Sequence, residues 1–244
     1  MRTIRIYTAE DLQESNTISL EAKAVKHIKD VLRMSAGESL ILFNGDGHDY
    51  SAVISELGKK QIRVEIESRQ AVNNESTLAI HLLQPLCRAE KMDWCLQKAT
   101  ELGVSMITPF ISSRVNINLA ANRVEKKMYH WKSVIQSACE QSGRARLPVL
   151  NIPVSFNTAI NNSDRYALKL IASPTAVKNK LPNSETSLPQ CICAIGHEGG
   201  FDQSEIEQAE NKGFTSLLIG PRILRLETAV ISALTLCQAR WGDF

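Results

Sequence analysis

Three short segments gather the residue types that could do chemistry: Ile171-Ala-Ser-Pro-Thr-Ala176, Gly196-His-Glu-Gly-Gly-Phe201 and Gly220-Pro-Arg-Ile-Leu-Arg-Leu-Glu-Thr228. Each follows an apolar run. Gly196, Gly199 and Gly200 would let the backbone come close to a ligand, because glycine lacks the Cβ that holds other residues away. Taken alone, that segment also fits a tight strand-to-helix turn, since Asp202 with Glu205 three residues on resembles a capping box. Arg222, Arg225 and Glu227 crowd the third segment, just before a stretch of Ala, Val, Ile and Leu that reads as a helix. Glu227 suits the positive end of a helix dipole. Two arginines there run against it and point to an anionic partner or transition state.

Several familiar chemistries are absent. No Gly-x-Gly-x-x-Gly follows a first βαβ strand and no Gly-x-x-x-x-Gly-Lys-Ser/Thr occurs, which disfavours nicotinamide and nucleoside-triphosphate sites. There is no Gly-x-Ser-x-Gly, and His27, His48, His81, His130 and His197 show no ligand-like spacing, so neither a hydrolytic triad nor a metal centre is expected. His197 alone stays open as a ligand contact. Cys87, Cys95, Cys139, Cys191, Cys193 and Cys237 lie mostly in apolar stretches with no Cys-x-x-Cys, the pattern of reduced, packed thiols.

The elements that must position these segments fall into two halves. Residues 1–72 read as β-rich pieces, Thr3 to Tyr7, Ser39 to Phe43, Tyr50 to Glu56 and Gln61 to Ser68, with a helix from Ala22 to Met34. The Asn44-Gly-Asp-Gly47 turn makes Leu40 to Ile54 a hairpin, and the half resembles a small barrel. A polar, turn-rich stretch at 71–77 marks a boundary near residue 73. Beyond it, the apolar runs Leu78 to Leu83, Met106 to Phe110, Tyr166 to Ala172, Cys191 to Ile195 and Ser216 to Ile219 alternate with amphipathic helices. One helix carries Met92, Cys95, Leu96, Ala99 and Leu102, another Val124 to Cys139, a third Asp202 to Gly213 and a last one Leu226 to Trp241. Continuous apolar strands covered on both faces indicate a parallel sheet wrapped by helices, an α/β domain. Ligands in such a sheet gather beyond the carboxyl ends of the strands, where the three segments lie.

Composition agrees. The 244 residues are 43% apolar and 22% charged, enough for a substantial core and unlike a disordered or fibrous chain. No apolar run approaches the roughly 18 residues a membrane span needs, and the start shows no secretory leader, so a cytoplasmic location is expected. The net charge of +2 conceals an uneven distribution: residues 73–150 carry 10 Lys/Arg against 6 Asp/Glu. That surplus is compatible with a polyanion.

Four strings carry a resemblance: Gly196-His-Glu-Gly-Gly-Phe201, Ile219-Gly-Pro-Arg-Ile-Leu-Arg-Leu-Glu-Thr-Ala229, Gln97-Lys-Ala-Thr-Glu-Leu-Gly-Val104 and Ala138-Cys-Glu-Gln-Ser-Gly-Arg144. In this order and spacing, with Met1-Arg2 and His27-Ile-Lys-Asp-Val-Leu-Arg33 near the start, the whole chain resembles the RsmE family of SPOUT RNA methyltransferases. The resemblance implies a PUA-like RNA-binding barrel over 1–72. Over 73–244 it implies a SPOUT methyltransferase domain whose C-terminal segment threads a trefoil knot, in a homodimer. The implied activity is S-adenosylmethionine-dependent methylation of N3 of a uridine in 16S rRNA of the small ribosomal subunit. Methylation of a ribose 2′-hydroxyl and a non-catalytic rRNA-binding assembly role are the alternatives.

Carried over by position, the resemblance assigns the cofactor to Leu170, Ile171, Gly196, Glu198, Gly199, Gly200, Ile219, Gly220, Leu224 and Thr228. It implies RNA contacts at Arg33, Arg88, Lys91, Arg114 and Arg144. Uridine N3 must lose a proton, and charge then spreads onto two carbonyl oxygens. Arg225 suits that anion, while Glu227 or Glu198 would position the base or accept the proton. Two departures stand out: His197 occupies a place where the family usually has proline, and Ser113-Arg114-Val115 keeps only the arginine of a common Glu-Arg-Ser.

Overall fold

The computed structural model describes residues 4–13, 16–20, 22–113, 121–173 and 189–244. Met1 to Thr3, Arg114, Val115 and the Pro174-Thr-Ala176 end of the first segment lie outside them. The chain forms two compact units, one of residues 1–75 with 136–147 and one of 76–135 with 148–244. Among the described residues, no helix is long and apolar enough to cross a membrane.

In the first unit, β1 (Arg5–Tyr7), β2 (Thr17–Leu20), β3 (Ser39–Phe43), β4 (His48–Leu57) and β5 (Ile62–Ala71) pair in the order β1-β3-β4-β5-β2. The β3–β4 hairpin follows the turn chemistry at Asn44 to Gly47. β2 has no counterpart in the sequence reading; its four residues alternate exposed and buried, too short a run to stand out. The helix expected over 22–34 is α1 (Ala22–Lys26) running into a π-helical turn, His27–Leu32. It stops at Arg33, whose φ of 52° is the only positive value among the described non-glycine residues. Ile6, Ile18, Ile28, Leu42, Ile54 and Val64 pack together in the core of this unit.

The second unit holds a seven-stranded parallel sheet. Its members in chain order are β6 (Ala79–Pro85), α2 (Ala89–Glu101), β7 (Val104–Ile111), α3 (Ala121–Ser142), β8 (Val149–Leu150), β9 (Val154–Ser155), α4 (Phe156–Asn161), β10 (Leu168–Ala172), β11 (Gln190–Ala194), α5 (Gln203–Asn211), β12 (Thr215–Leu217) and α6 (Leu226–Trp241). The strand order is β12-β10-β11-β6-β7-β8, with β9 also on β7. The long apolar runs became the central strands, buried on both faces as continuous hydrophobicity requires. The short β8, β9 and α4 gave no periodicity to read. The C-terminal half of α3 belongs with the first unit. There Glu140 accepts from the Tyr7 amide at 3.0 Å, and Arg5, ion-paired to Asp49 at 2.5 Å, donates to the Cys139 carbonyl.

Two polar anchors set the sheet of the second unit. Asp202 and Glu205 close the expected capping box on α5, and the buried Glu205 carboxylate also accepts from Ser112 Oγ and the Ser113 amide, each at 2.9 Å. Beside them the Phe110, Phe156 and Phe201 rings pack together, with centroids 5.1 to 6.2 Å apart. The second anchor is His81, bonded through Nε2 to Thr108 at 2.7 Å and through Nδ1 to the Tyr166 hydroxyl at 2.8 Å. Burial, and then the nearby Arg165 charge, push its pKa from 6.5 down to about 4.

The folded state therefore holds His81 neutral where an unfolded histidine would take a proton. His81 favours folding fully above pH 6.5, and that stability is lost as pH falls toward about 4. The loss can reach about 3 kcal/mol. Urea unfolding across this window should show a steeper decline for the native protein than for His81→Gln; parallel curves would contradict the assignment.

Candidate active site

Parallel pairing puts the carboxyl ends of three strands side by side. Ile171 of β10 is opposite Ala194 of β11 and Ser216 of β12. The pairing continues past the strands: the Ser173 amide donates to the Leu217 carbonyl at 3.0 Å and the Ile195 amide to Leu83 at 3.2 Å. The three segments singled out in the sequence consequently leave the sheet together and enclose one cavity of about 270 Å3.

Gly196, Glu198, Gly199, Gly200, Ile219, Gly220 and Leu224 line that cavity, as expected. Leu170, Ile171 and Thr228 do not: the first two are wholly buried in β10 and Thr228 is exposed on α6. The wall also takes Ala172, Ser173, Ile195, His197, Leu217, Leu218, Arg222, Ile223, Leu226 and Ala229. His197, Arg222, Ile223 and Leu226 fall inside the segments already singled out, whereas Ile195, Leu217 and Leu218 lie just before them, at the strand ends. A Cβ on Gly196 would lie 3.1 Å from the Gly200 backbone, so a side chain there would require the turn to give by a few tenths of an ångström. Gly220 has φ of +95°, a conformation side chains disfavour. The Gly200 amide closes the turn onto the His197 carbonyl at 2.7 Å.

Arg225 is the N-cap residue of α6, exposed, between the wall residues Leu224 and Leu226, and its side chain makes no cap hydrogen bond. Glu227 sits in the first turn, and its Oε2 is shielded from solvent without a hydrogen-bond partner. Lys91 of α2 meets both glutamates: its ammonium donates to Glu198 and lies 3.9 Å from Glu227 Oε2. The hydrogen bond from Lys91, followed by its charge, holds the Glu198 carboxyl below its usual range, with His197 and Arg88 adding to the effect. The same bond raises the Lys91 ammonium. Cys87, close to this cluster, is pushed up to about 12 by burial and by both glutamates, so it stays a thiol and no nucleophile.

Four of the five cations expected at RNA lie among the described residues. Arg33 is exposed at the end of the π-helical turn and Arg88 at the start of α2. Lys91 is engaged as described. Arg144 is 4% exposed, its guanidinium held by both Glu75 oxygens at 3.0 and 2.5 Å, which makes it an internal strut of the first unit and not a surface cation. Arg114 lies outside the described residues.

Known proteins match this arrangement. The RNA methyltransferase domain model matches residues 74–238, and the RNA methyltransferase PUA domain model matches 20–67. The ribosomal RNA small subunit methyltransferase E of Buchnera aphidicola subsp. Schizaphis graminum is 37% identical, covering 99% of this chain and 98% of its own. The protein of the same name from Neisseria gonorrhoeae, solved bound to S-adenosyl methionine, is 34% identical with a TM-score of 0.90 and full coverage of both chains. Lpg2936 of Legionella pneumophila, solved with the cofactor SAM bound, is 41% identical with a TM-score of 0.94, also over both full chains. The chain belongs to the RNA methyltransferase family, among the ribosomal RNA small subunit methyltransferases E.

Gly220→Ala should lower stability by on the order of 1 kcal/mol through its positive φ, read by urea unfolding. Gly196→Ala must push the 196–200 turn off Gly200, so its hydrogen–deuterium exchange at Gly200 should rise. Unchanged exchange would show that the turn tolerates a side chain.

Proposed function

We propose that the protein transfers a methyl group from S-adenosylmethionine to N3 of a uridine in 16S rRNA of the small ribosomal subunit. The observation that carries this reading is the single cavity shared by three strand ends, whose wall includes Leu224 and Leu226 on either side of Arg225. The residues fit the cofactor. An apolar floor from Ile195, Leu217 and Ile219 suits an adenine, the glycine backbone allows close approach, and the open first turn of α6 offers amides to a carboxylate. When bound, S-adenosylmethionine supplies an electrophilic methyl on a sulfonium sulfur.

The chain's own groups do the rest. Ile223 is 89% exposed beside Arg222, an apolar shelf on which a base can lie. Arg225 faces the charge that develops on the carbonyl oxygens flanking N3 once its proton leaves, and a guanidinium there needs no reorganisation. Glu227 is favoured over Glu198 as the acceptor of that proton, because Glu198 already takes a hydrogen bond from Lys91 while Glu227 Oε2 takes none, the same ammonium standing 3.9 Å away. Orientation within the cavity supplies much of the remaining rate.

Residues 1–72 act in this reading as a PUA-like RNA-holding domain, with Arg33 on its surface, and 73–244 as the methyltransferase domain. The working form is a cytoplasmic homodimer whose C-terminal segment is knotted, as the family resemblance implies. No metal enters the reaction.

Incubation with labelled S-adenosylmethionine and small subunits lacking the modification, followed by nucleoside mapping, should place the label in 3-methyluridine. Label in a 2′-O-methylated nucleoside, or none despite salt-sensitive RNA binding, would overturn the reading. Arg225→Ala should cut turnover about 100- to 1,000-fold while leaving cofactor affinity by calorimetry within a few-fold. Retained turnover would remove Arg225 from the mechanism.

A further inference from the structure

We propose that Lys91 is a positioning residue of the methyl-transfer site: through Glu198 it ties the 196–200 loop to α2, and it sets its ammonium beside the Glu227 carboxylate. This rests on the methyltransferase reading above. Lys91 lies outside the three cavity segments, in the first turn of α2, yet its Nζ is bonded to one segment and 3.9 Å from a residue of another. No other lysine or arginine among the described residues makes an ion pair with either glutamate.

Charge placement explains why a cation is needed there. Two carboxylates approach the same ammonium from the loop and from α6, one of them through an oxygen that is shielded from water and takes no hydrogen bond. Unrelieved, they would repel each other and drive the loop outward, opening the cavity. The other groups facing this point are Arg88 and Cys87 ahead of α2, Cys95 within it, His197 on the loop, Arg225 ahead of α6 and Lys127 on α3. Of these, Arg88 and Arg225 are exposed and open to RNA. An ammonium already spent on a carboxylate is a poor phosphate contact, so Lys91 acts on geometry and not as part of the RNA-binding charge.

The tether predicts a pH signature in cofactor affinity. The bond from Lys91 is the largest of the effects that lower the Glu198 carboxyl, with the His197 and Arg88 charges adding to it. Affinity for S-adenosylmethionine should hold at neutral pH and weaken as pH falls through that lowered value, where Glu198 takes a proton and lets go.

Calorimetry with S-adenosylmethionine, and turnover on small subunits, would be compared for the native protein, Lys91→Met, Lys91→Arg and Glu198→Gln. Lys91→Met should weaken cofactor binding several-fold, abolish its acid-side pH dependence and lower kcat about tenfold. Its RNA affinity and salt slope should stay unchanged. Lys91→Arg should recover most of the affinity. Glu198→Gln should reproduce the affinity loss and the flat pH response with a smaller effect on kcat, because Lys91 still faces Glu227. A native cofactor affinity and pH response in both Lys91→Met and Glu198→Gln, with only a shallower RNA salt slope in the lysine variant, would overturn the proposal and make Lys91 a phosphate contact. Should Lys91→Met not fold, Glu198→Gln still decides the tether. The calorimetry stands apart from the modified nucleoside, so a wrong base assignment would leave the tether test intact.

Discussion

The site depends on the parallel register of three strands. β10 lies between β11 and β12, and pairing Ile171 with both Ala194 and Ser216 fixes where each chain leaves the sheet to within a residue. A slip of one residue in β10 would turn Leu170 and Ile171, both wholly buried, to opposite faces of the sheet. Because both faces are covered, neither side accepts the exchange, and the register that buries the strands is also the register that brings the loops together. The placement of the three strand ends around one cavity thus follows from burial.

Polar anchors then hold what leaves the sheet. The 196–200 loop hangs from β11 on one side and from the Asp202–Glu205 capping box on the other, and Glu205 reaches back to Ser112 and Ser113 at the end of β7. α6 is pinned toward its far end. There the fully buried Gln238 accepts from Ser76 Oγ at 2.7 Å and donates to the Leu102 carbonyl at 2.8 Å. Buried groups of this kind cost stability when half satisfied and confer rigidity when fully bonded.

What could be read from the sequence was whatever is written in local spacing. α6 was legible to its end residues because an apolar helix starts after a charged segment, and the capping box was legible because its two partners are three residues apart. The cavity-lining glycines were legible because their chemistry is backbone chemistry. Contacts made at long range were not. The Lys91–Glu198 pair spans 107 residues, and nothing near Lys91 distinguishes it from a solvated charge. Arg144 likewise looked like surface until Glu75, 69 residues away, was seen to hold it. α3 crossing from one compact unit into the other is equally invisible to a reading by successive windows, because its periodicity runs unbroken over Ala121–Ser142.

The start of α6 is locally unfavourable. An N-cap arginine contributes no cap hydrogen bond, and its charge opposes the helix dipole, an arrangement less stable than a capping serine or aspartate by about 1 kcal/mol. Glu227 in the first turn recovers part of that, yet one of its oxygens is shielded and unbonded, itself an unfavourable state. A helix selected only to be stable would carry neither feature. Together they place a guanidinium without a cap hydrogen bond next to a carboxylate that takes no hydrogen bond on Oε2 and has only the Lys91 ammonium near it, at 3.9 Å. A ligand with an acidic N–H flanked by two carbonyl oxygens offers both partners at once: a proton for the carboxylate and, once it has gone, an anion for the arginine. In the proposed reading, the local instability of the helix start would be relieved as that proton transfers, so these interactions would strengthen toward the transition state and not in the ground state, the condition for accelerating a reaction.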